Sequence, residues 1–459
     1  MRKPERNSGM DQTERLTEYV LNEKFENAGE TTQQKLKTAL RDIIACTIAG
    51  TQTPAAKIAL KVARVHWGKG RSTVFLEREG LSPMGAAFVN AVMANALDLD
   101  DGHRLTKGHP GAVIFPAVLA AAEEREANGR QFLDALLAAY EVSIRAGILA
   151  HGLRPEYHCT GSWGAIGAAA GAGKLLGLTS EQLAHAMGIA EYHSTYSPMM
   201  RCIDVPAMVK DGIGWGCMTG ISSAYLAEQG FTGIPSLFSF PRAQALLEDL
   251  GTLYQVERLY YKPHACCRWA QPAVEALRQL KERHPFSPSG VRRMVIHTFA
   301  ESARLQHTPP KNTEEAQYHL FFPAACYLVY GEVGPEQVLR RLDDPLVLRT
   351  MEKCSVTVED ELNAAFPAKA LSWVEVELED GRVLKSPTCQ AAGDYDYPLS
   401  EEELRAKYFR LTEPLIGREH ASRLQDMIEN LEELDHIRSL TEMLTIAQGR
   451  TMANAGSAD

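Results

Sequence analysis

The 459-residue sequence contains no C-x-x-C pair, no Walker loop, no strand–GxGxxG–helix unit and no long run of lysine or arginine. Without paired cysteines, a zinc, iron–sulfur or thioredoxin-type site has no spacing to be built on. Without the glycine-rich loops, no nucleotide-binding pattern is present. With 58 acidic against 48 basic residues and a net charge of −10, we expect no nucleic-acid partner, because a phosphate backbone requires a basic stripe.

Long apolar runs are also missing. The most apolar stretches, residues 111–122 and 164–178, are too short or too rich in glycine for the roughly 20 residues of a membrane span, so no membrane partner is expected. The first 20 residues mix acids with bases and lack the apolar core of a signal peptide. Nine cysteines, an odd number, fit a reducing compartment. We therefore expect a cytoplasmic protein.

The periodicity of the apolar residues predicts a mainly α-helical protein with a smaller α/β part. From residue 13 to about residue 233, apolar residues recur at helical spacing between helix start and stop signals, which indicates an all-α domain. Residues 291–299, 354–358 and 372–383 alternate apolar and polar side chains, which indicates strands between helical runs. Helical spacing resumes from residue 399 to about residue 449, either as a third domain or as a return to the first.

The most unusual polar window is NALDLDDGHRLTKGHPGAVIFP, residues 95–116. Carboxylates clustered beside imidazoles change one another's pKa, which is what acid–base chemistry requires. A solvated loop between two helices would show the same composition, and taken alone that interpretation is favoured. The ionisable side chains of this window are Asp98, Asp100, Asp101, His103, Arg104, Lys107 and His109.

Three further windows carry isolated candidates. In RPEYHCTGSWGAIG, residues 154–167, His158 precedes a glycine-rich helix start, where free N–H groups can hold an anion. PAMVKDGIGWGCMTG, residues 206–220, contains Lys210 next to a run of alternating glycines. YYKPHACCRW, residues 260–269, contains Lys262, His264 and Arg268 among aromatic residues. Each of these also has a structural interpretation, namely a loop histidine, a surface lysine and an interdomain linker.

In this order and spacing, the four windows resemble the MmgE/PrpD family, whose members include 2-methylcitrate dehydratase, cis-aconitate decarboxylase and iminodisuccinate epimerase. The resemblance covers nearly the whole chain. It implies a large helical domain over residues 1–267, a smaller inserted α/β lid over 268–394, and C-terminal helices over 395–459 that return to the helical domain. It further implies a homodimer with a site between the domains that uses no metal and no other cofactor.

The same resemblance assigns catalytic roles to Asp98, His109, His158, Lys210 and Lys262. We expect His103, His264 and Arg268 to bind substrate. In such a site, fixed cations stabilise the charge that develops next to a substrate carboxylate, and a histidine pair supplies acid and base. Which histidine is the acid is left open by the sequence.

Dehydration of a 2-methylcitrate-like hydroxy-tricarboxylate is the first functional hypothesis. The alternatives are a decarboxylase or epimerase of a related polycarboxylate, and a non-catalytic relative that binds a carboxylate. Two departures from the family pattern argue against assigning decarboxylase activity to this chain by resemblance. Gly102 stands where many members have a small hydroxyl residue, and Phe322 stands where decarboxylase-like members have a tyrosine.

Overall fold

The structure is a computed structural model that describes residues 11–154 and 156–445. It is mainly α-helical with a small α/β part, which confirms the predicted fold class. Helix starts follow the sequence signals: the Ser82 hydroxyl accepts from the Gly85 amide, and Thr179 forms a capping box with Gln182. The helices of the N-terminal half are α1 (Gln12–Asn22), α2 (Glu30–Gly50), α3 (Pro54–His66), α4 (Pro83–Asn95), α5 (Pro110–Glu124), α6 (Gly129–Leu153), α7 (Thr160–Leu176), α8 (Ser180–His193), α9 (Met200–Asp204), α10 (Ile213–Glu228) and α11 (Gln244–Leu247).

Short strands accompany these helices: β1 (Lys69–Ser72), β2 (Gly102–His103) and β3 (Leu259–Tyr260). β2 and β3 pair in antiparallel fashion, with Gly102 opposite Tyr260. Glycines allow the central helices to approach closely. A Cβ at Gly216 of α10 would lie 2.5 Å from the Cα of Gly161 in α7, so this crossing has no space for a side chain.

The α/β part, called the lid below, extends from α12 to β8. Its five-stranded sheet has the order β5-β4-β6-β7, with β8 also paired to β6; β4 is parallel to β5 and antiparallel to β6. A turn at Asp380-Gly381 separates β6 from β7, and Gly381 has a φ of 87°. The elements of the lid are α12 (Gln271–Arg283), β4 (Val291–Thr298), α13 (Ala300–Ala303), α14 (Thr313–Gln317), α15 (Phe321–Tyr330), α16 (Pro335–Arg340), α17 (Pro345–Glu352), β5 (Cys354–Val358), α18 (Asp360–Ala365), β6 (Leu371–Leu378), β7 (Val383–Lys385) and β8 (Cys389–Gln390).

The last helices are α19 (Glu401–Ile416), α20 (Arg418–Glu429) and α21 (Arg438–Met443). α19 and α20 contact α2 near the start of the chain. Ile428 and Leu440 belong to the same buried cluster as Leu36 and Leu40. The chain therefore leaves the helical body at the lid and packs against it again afterwards. The helical body is used below for the helices outside the lid.

Among the described residues, no single helix is both long enough and apolar enough to span a membrane. The bent pair α2 and α3, with 85° between its two halves, meets the criterion by length and composition only.

Candidate active site

A cavity lies between the helical body and the lid, with about 640 Å³ of empty space including its open mouth. Five of the eight predicted site residues line it. The side chains around the cavity are Asp98, His103, Arg104, Lys107, His109, Tyr157, Met199, Ile203, Asp211, Tyr260, Lys262, Cys267, Arg268, Trp269, Tyr318, Phe366 and Pro367.

The loop between α4 and α5 supplies the centre of the site. Asp98 has a φ of 53°, a left-handed conformation that is rare for residues other than glycine and that must be held by its surroundings. The carbonyl end of α4 just before it carries unsatisfied acceptors and partial negative charge, which ammonium groups can satisfy. Lys210 does this, donating to the carbonyl of Asn95 at 2.5 Å. Two further buried lysines bind carbonyls of the loop itself: Lys262 donates to that of Asp98 at 2.8 Å and Lys407 to that of Leu99 at 2.8 Å.

Two histidines line the cavity, His103 and His109, and the surroundings of His109 favour its protonated form. Its Nδ1 lies 3.0 Å from the carbonyl oxygen of Asp101 and 3.3 Å from a carboxylate oxygen of Asp100. Burial lowers the pKa of His109, but the charge and hydrogen bond of Asp100, together with the charge of Asp98, outweigh it and raise the pKa to about 9. The imidazole is therefore protonated at neutral pH and is placed to donate a proton.

Asp100 is the matching anion. Burial works against its charge, yet the attraction of His109 lowers the pKa of Asp100 to about 2. The side-chain amide of Asn95 donates to both of its carboxylate oxygens, at 2.9 and 3.2 Å. Asp100 thus stays ionised and stabilises the protonated form of His109.

Asp98 and Lys262 form a second buried pair, with the ammonium 2.9 Å from the carboxylate Oδ1. Burial opposes the charge of Lys262, but Asp98 raises the pKa of this amine above its ordinary value. The same Asp98 oxygen lies 3.5 Å from Nε2 of His109. One carboxylate oxygen of Asp98 thus contacts both His109 and Lys262.

Two other acids close to His109 are harder to ionise. Burial, followed by the charge of Asp100, raises the pKa of Asp101 to about 7, and the Tyr140 hydroxyl donates to this carboxyl at 2.8 Å. Burial also raises the pKa of Asp211, whose Oδ2 lies 3.9 Å from Nε2 of His109. Asp211 lines the cavity, whereas Asp101 lies behind it.

Three predicted site residues do not reach the cavity surface in the described chain. The ammonium of Lys210 lies behind the loop between α4 and α5. It donates to the carbonyl of Asn95 and, at 2.7 Å, to the side-chain oxygen of Gln317. Nδ1 of His158 lies 2.8 Å from the Ser162 hydroxyl, and its ring stacks on His151 with 4.1 Å between ring centroids. His264 lies against Tyr327, outside the cavity wall. Their direct roles stay predictions.

The neutral histidines are explained by burial. Burial, helped by the charge of Arg258, lowers the pKa of His103 to about 3. Burial lowers the pKa of His158 to about 4, with His151 adding to the effect, and that of His264 to about 3, with Arg410 adding. Of the three, His103 alone lines the cavity.

The sequence patterns did not identify several of the residues that line the cavity. Arg104 and Lys107 were attributed to the polar window without a role, yet they add two cations to Lys262 and Arg268. Asp211 directly follows Lys210, so proximity to a predicted residue was the one available signal. The complete set of overlooked polar lining residues is Arg104, Lys107, Tyr157, Asp211, Tyr260 and Tyr318.

The two departures from the family pattern have structural explanations. Phe322 is fully buried outside the cavity wall, with its amide bonded to Nδ1 of His319. The lid nevertheless presents a tyrosine, Tyr318, to the cavity. A Cβ at Gly102 would lie 2.1 Å from Cζ of Tyr260, so the glycine is required by that ring.

Asp98, Asp100 and His109 offer ligand atoms within 4.8 Å of one another, a spacing that could hold a metal ion. One of the three is already paired with a cation: the ammonium of Lys262 lies 2.9 Å from Oδ1 of Asp98. A metal ion at that carboxylate would be repelled by this fixed positive charge.

Comparison with known proteins gives a consistent result over most of the chain. The sequence model of the MmgE/PrpD N-terminal domain matches residues 14–243, and that of the MmgE/PrpD C-terminal domain matches residues 264–433. A cis-aconitate decarboxylase-like protein of Aspergillus oryzae is 25% identical over 452 residues, covering 90% of this chain and 92% of the relative. The cis-aconitate decarboxylase of Homo sapiens is 24% identical, with 90% of each chain covered, and that of Aspergillus terreus is 23% identical, with 90% and 91% covered.

Proposed function

The chain belongs to the MmgE/PrpD family, and on that premise we propose that it is a cofactor-independent lyase acting on a small polycarboxylic acid. Arg104, Lys107, Lys262 and Arg268 line the cavity, together with protonated His109. Fixed cations of this kind attract a polyanion and stabilise the negative charge that develops during reaction. The names of the curated relatives, which are cis-aconitate decarboxylases, support the same class of substrate.

Within this class, decarboxylation of an unsaturated tricarboxylate agrees best with the geometry. The bond from carbon to the departing carboxylate breaks, its electron pair stays on the substrate, and the carbon that receives the pair takes a proton. This sequence needs an acid and cations but no base. The observation that carries the proposal is the position of His109 on the wall of a cavity that four cations also line, 3.3 Å from the Asp100 carboxylate that favours its protonated form. His103, with its pKa lowered to about 3 by burial, is a weak base.

Dehydration of a 2-methylcitrate-like acid, the first hypothesis from the sequence, is the second candidate because of Asp211. Burial raises the pKa of this carboxyl, which makes its ionised form a stronger base, and it lies 3.9 Å from Nε2 of His109. In this scheme Asp211 takes the proton next to a substrate carboxylate, and His109 protonates the departing hydroxide to water.

Purified protein incubated separately with cis-aconitate and with 2-methylcitrate distinguishes the candidates. We expect carbon dioxide from cis-aconitate, undiminished by a chelator. Release of water with formation of an alkene from 2-methylcitrate would instead favour dehydration, and a change in optical rotation without either product would favour an epimerase. Tight binding without turnover would favour a non-catalytic relative.

His109→Gln tests the assigned acid. Because general acid catalysis contributes about 10²–10⁴-fold, we expect kcat to fall by about that factor, with binding of the polycarboxylate retained. His284→Gln, an exposed histidine far from the cavity residues in sequence, is the matched control and should leave kcat unchanged. Full activity of the His109 variant would overturn the assignment.

We also propose that the protein is a cytoplasmic homodimer. Large apolar side chains are exposed along one stretch of chain, residues 192–240, including Val209 at 71%, Trp215 at 55% and Phe231 at 51%. Exposed apolar surface of this kind marks association sites. Sedimentation velocity should show a dimer that Val209→Asp weakens, whereas Val383→Asp on the lid, at 54% exposure, should not. A wild-type monomer at micromolar concentration would contradict the dimer.

A further inference from the structure

The side chain of Tyr260 fills the space that a side chain at residue 102 would need. The two residues are opposite each other in the β2–β3 pair, and a Cβ built at Gly102 would lie 2.1 Å from Cζ and 2.2 Å from the hydroxyl oxygen of Tyr260. Real Cβ atoms do not approach other heavy atoms so closely. The phenol of Tyr260 therefore fills the position into which a side chain at residue 102 would project, and glycine is what lets it reach there.

The hydroxyl of Tyr260 is available to a ligand. Tyr260 lines the cavity, and the hydrogen bonds of the described residues include none to its hydroxyl oxygen. Burial raises the pKa of Tyr260 above its ordinary value, so the hydroxyl keeps its proton and can donate it in a hydrogen bond. A hydroxyl on the cavity wall without a protein partner can donate to a bound acceptor.

The groups around this hydroxyl select an anion. Lys262 follows Tyr260 by two residues and also lines the cavity. The guanidinium of Arg268 lies 5.0 Å from the centroid of the Tyr260 ring, and its Nε is buried without a hydrogen-bond partner among the described residues. Both cations also have protein partners, Lys262 with Asp98 at 2.9 Å and Arg268 with Asp394 at 2.5 Å. A carboxylate in front of Tyr260 would meet these two cations and one neutral donor within the same wall.

We propose that the hydroxyl of Tyr260 donates a hydrogen bond to a substrate carboxylate that Lys262 and Arg268 also hold, and that Gly102 positions this hydroxyl by leaving space for the phenol. The inference rests on the proposed function in one respect, namely that the ligand is a polycarboxylate. Tyr260 is in this view a substrate-binding residue, and the pair of residues 102 and 260 determines specificity.

Tyr260→Phe removes the hydroxyl alone and retains the ring. Because a hydrogen bond to a charged group is lost, we expect the dissociation constant for cis-aconitate, measured by calorimetry, to rise about tenfold to a hundredfold. Where turnover is measured, KM should rise more than kcat falls, since the lost contact is made in the ground state as well. Tyr261→Phe is the matched control: the neighbouring hydroxyl is buried, lacks a partner among the described residues and is not on the cavity wall, so its loss should not change affinity.

Gly102→Ser tests the shared space. Alone it should weaken cis-aconitate binding, because the new side chain displaces the phenol. Combined with Tyr260→Leu, which clears the space, it should bind more tightly than Tyr260→Leu alone, since a hydroxyl is restored near the same position. Equal affinity of Tyr260→Phe and wild type would overturn the inference. Wild-type binding without turnover would overturn the lyase proposal alone, and absence of polycarboxylate binding by wild type would overturn both.

Discussion

At the residue scale, the chemistry of the site depends on a buried pair of opposite charges. His109 and Asp100 are both buried, and each would be neutralised by burial without the other. Their mutual attraction keeps the imidazole protonated and the carboxylate ionised. The raised pKa of His109 contributes stability that is complete below its unfolded value of about 6.5 and is lost as the pH rises through about 9. The lowered pKa of Asp100 contributes stability above about 3.9, which is lost as the pH falls through about 2.

Asp100→Asn should move the alkaline limit of activity. With the negative charge removed, burial dominates and the pKa of His109 falls, so the protonated acid is lost at a lower pH than in wild type. A pH–rate profile of kcat/KM measures this shift. Asp204→Asn, a carboxylate paired with Arg304 on the surface, is the control and should leave the profile in place. An alkaline limb near pH 9 in both variants would show that another group is the acid.

At the scale of elements, glycine at helix crossings determines where the functional loops lie. α7 begins just after His158 and α10 begins just after Lys210, and the two helices touch through Gly161 and Gly216. The glycine-rich composition of both windows was visible in the sequence. That these two particular helices meet was not visible, because a helix pair is defined by contacts between residues far apart in the chain.

Gly216→Ala should be strongly destabilising. The added Cβ would lie 2.5 Å from backbone of Gly161, which cannot move aside as a flexible side chain can. Overpacking of this kind costs about 1–3 kcal/mol, and we expect the free energy of unfolding in urea to fall by at least that amount. Gly290→Ala, where no heavy atom lies within 4 Å of the new Cβ, is the control. Equal stability of the two variants would contradict the tight crossing.

At the scale of the whole molecule, the C-terminal helices hold the catalytic loop. Lys407 of α19 donates to the carbonyl of Leu99 at 2.8 Å and pairs with Asp42 of α2 at 2.6 Å, with all these groups buried. The chain must therefore pass through the lid and return before the loop that carries Asp98 is fully supported. The site combines residues from both ends of the sequence.

Lys407→Met should lower both stability and activity. It leaves Asp42 buried without its cation, which costs about 3–5 kcal/mol in the free energy of unfolding. The double variant Asp42→Asn with Lys407→Met should recover much of this stability, yet kcat/KM should stay low because the Leu99 carbonyl has lost its donor. Lys353→Met, which removes a comparable lysine contact to the carbonyl of Val291 in the lid, should leave kcat/KM unchanged. Recovery of activity together with stability would show that Lys407 has no positioning role.

Much of the site was predictable because its residues cluster along the chain. Asp98, His103 and His109 fall within one window, and Lys262 and Arg268 fall within another, so local patterns identified five residues that line the cavity. Lys210, His158 and His264 could not be placed by pattern. Whether a buried polar side chain faces a cavity or a neighbouring element depends on packing.

The sequence by itself determined the family, the mainly α-helical fold class and the absence of paired-cysteine and nucleotide motifs, because these depend on composition, periodicity and short motifs. Only the tertiary structure decided the charge of each group. His109 and His103 lie six residues apart in one loop, yet the pKa of one is raised to about 9 and that of the other is lowered to about 3. The physical reason is that burial disfavours charge for both, and only His109 has a buried carboxylate beside it to compensate.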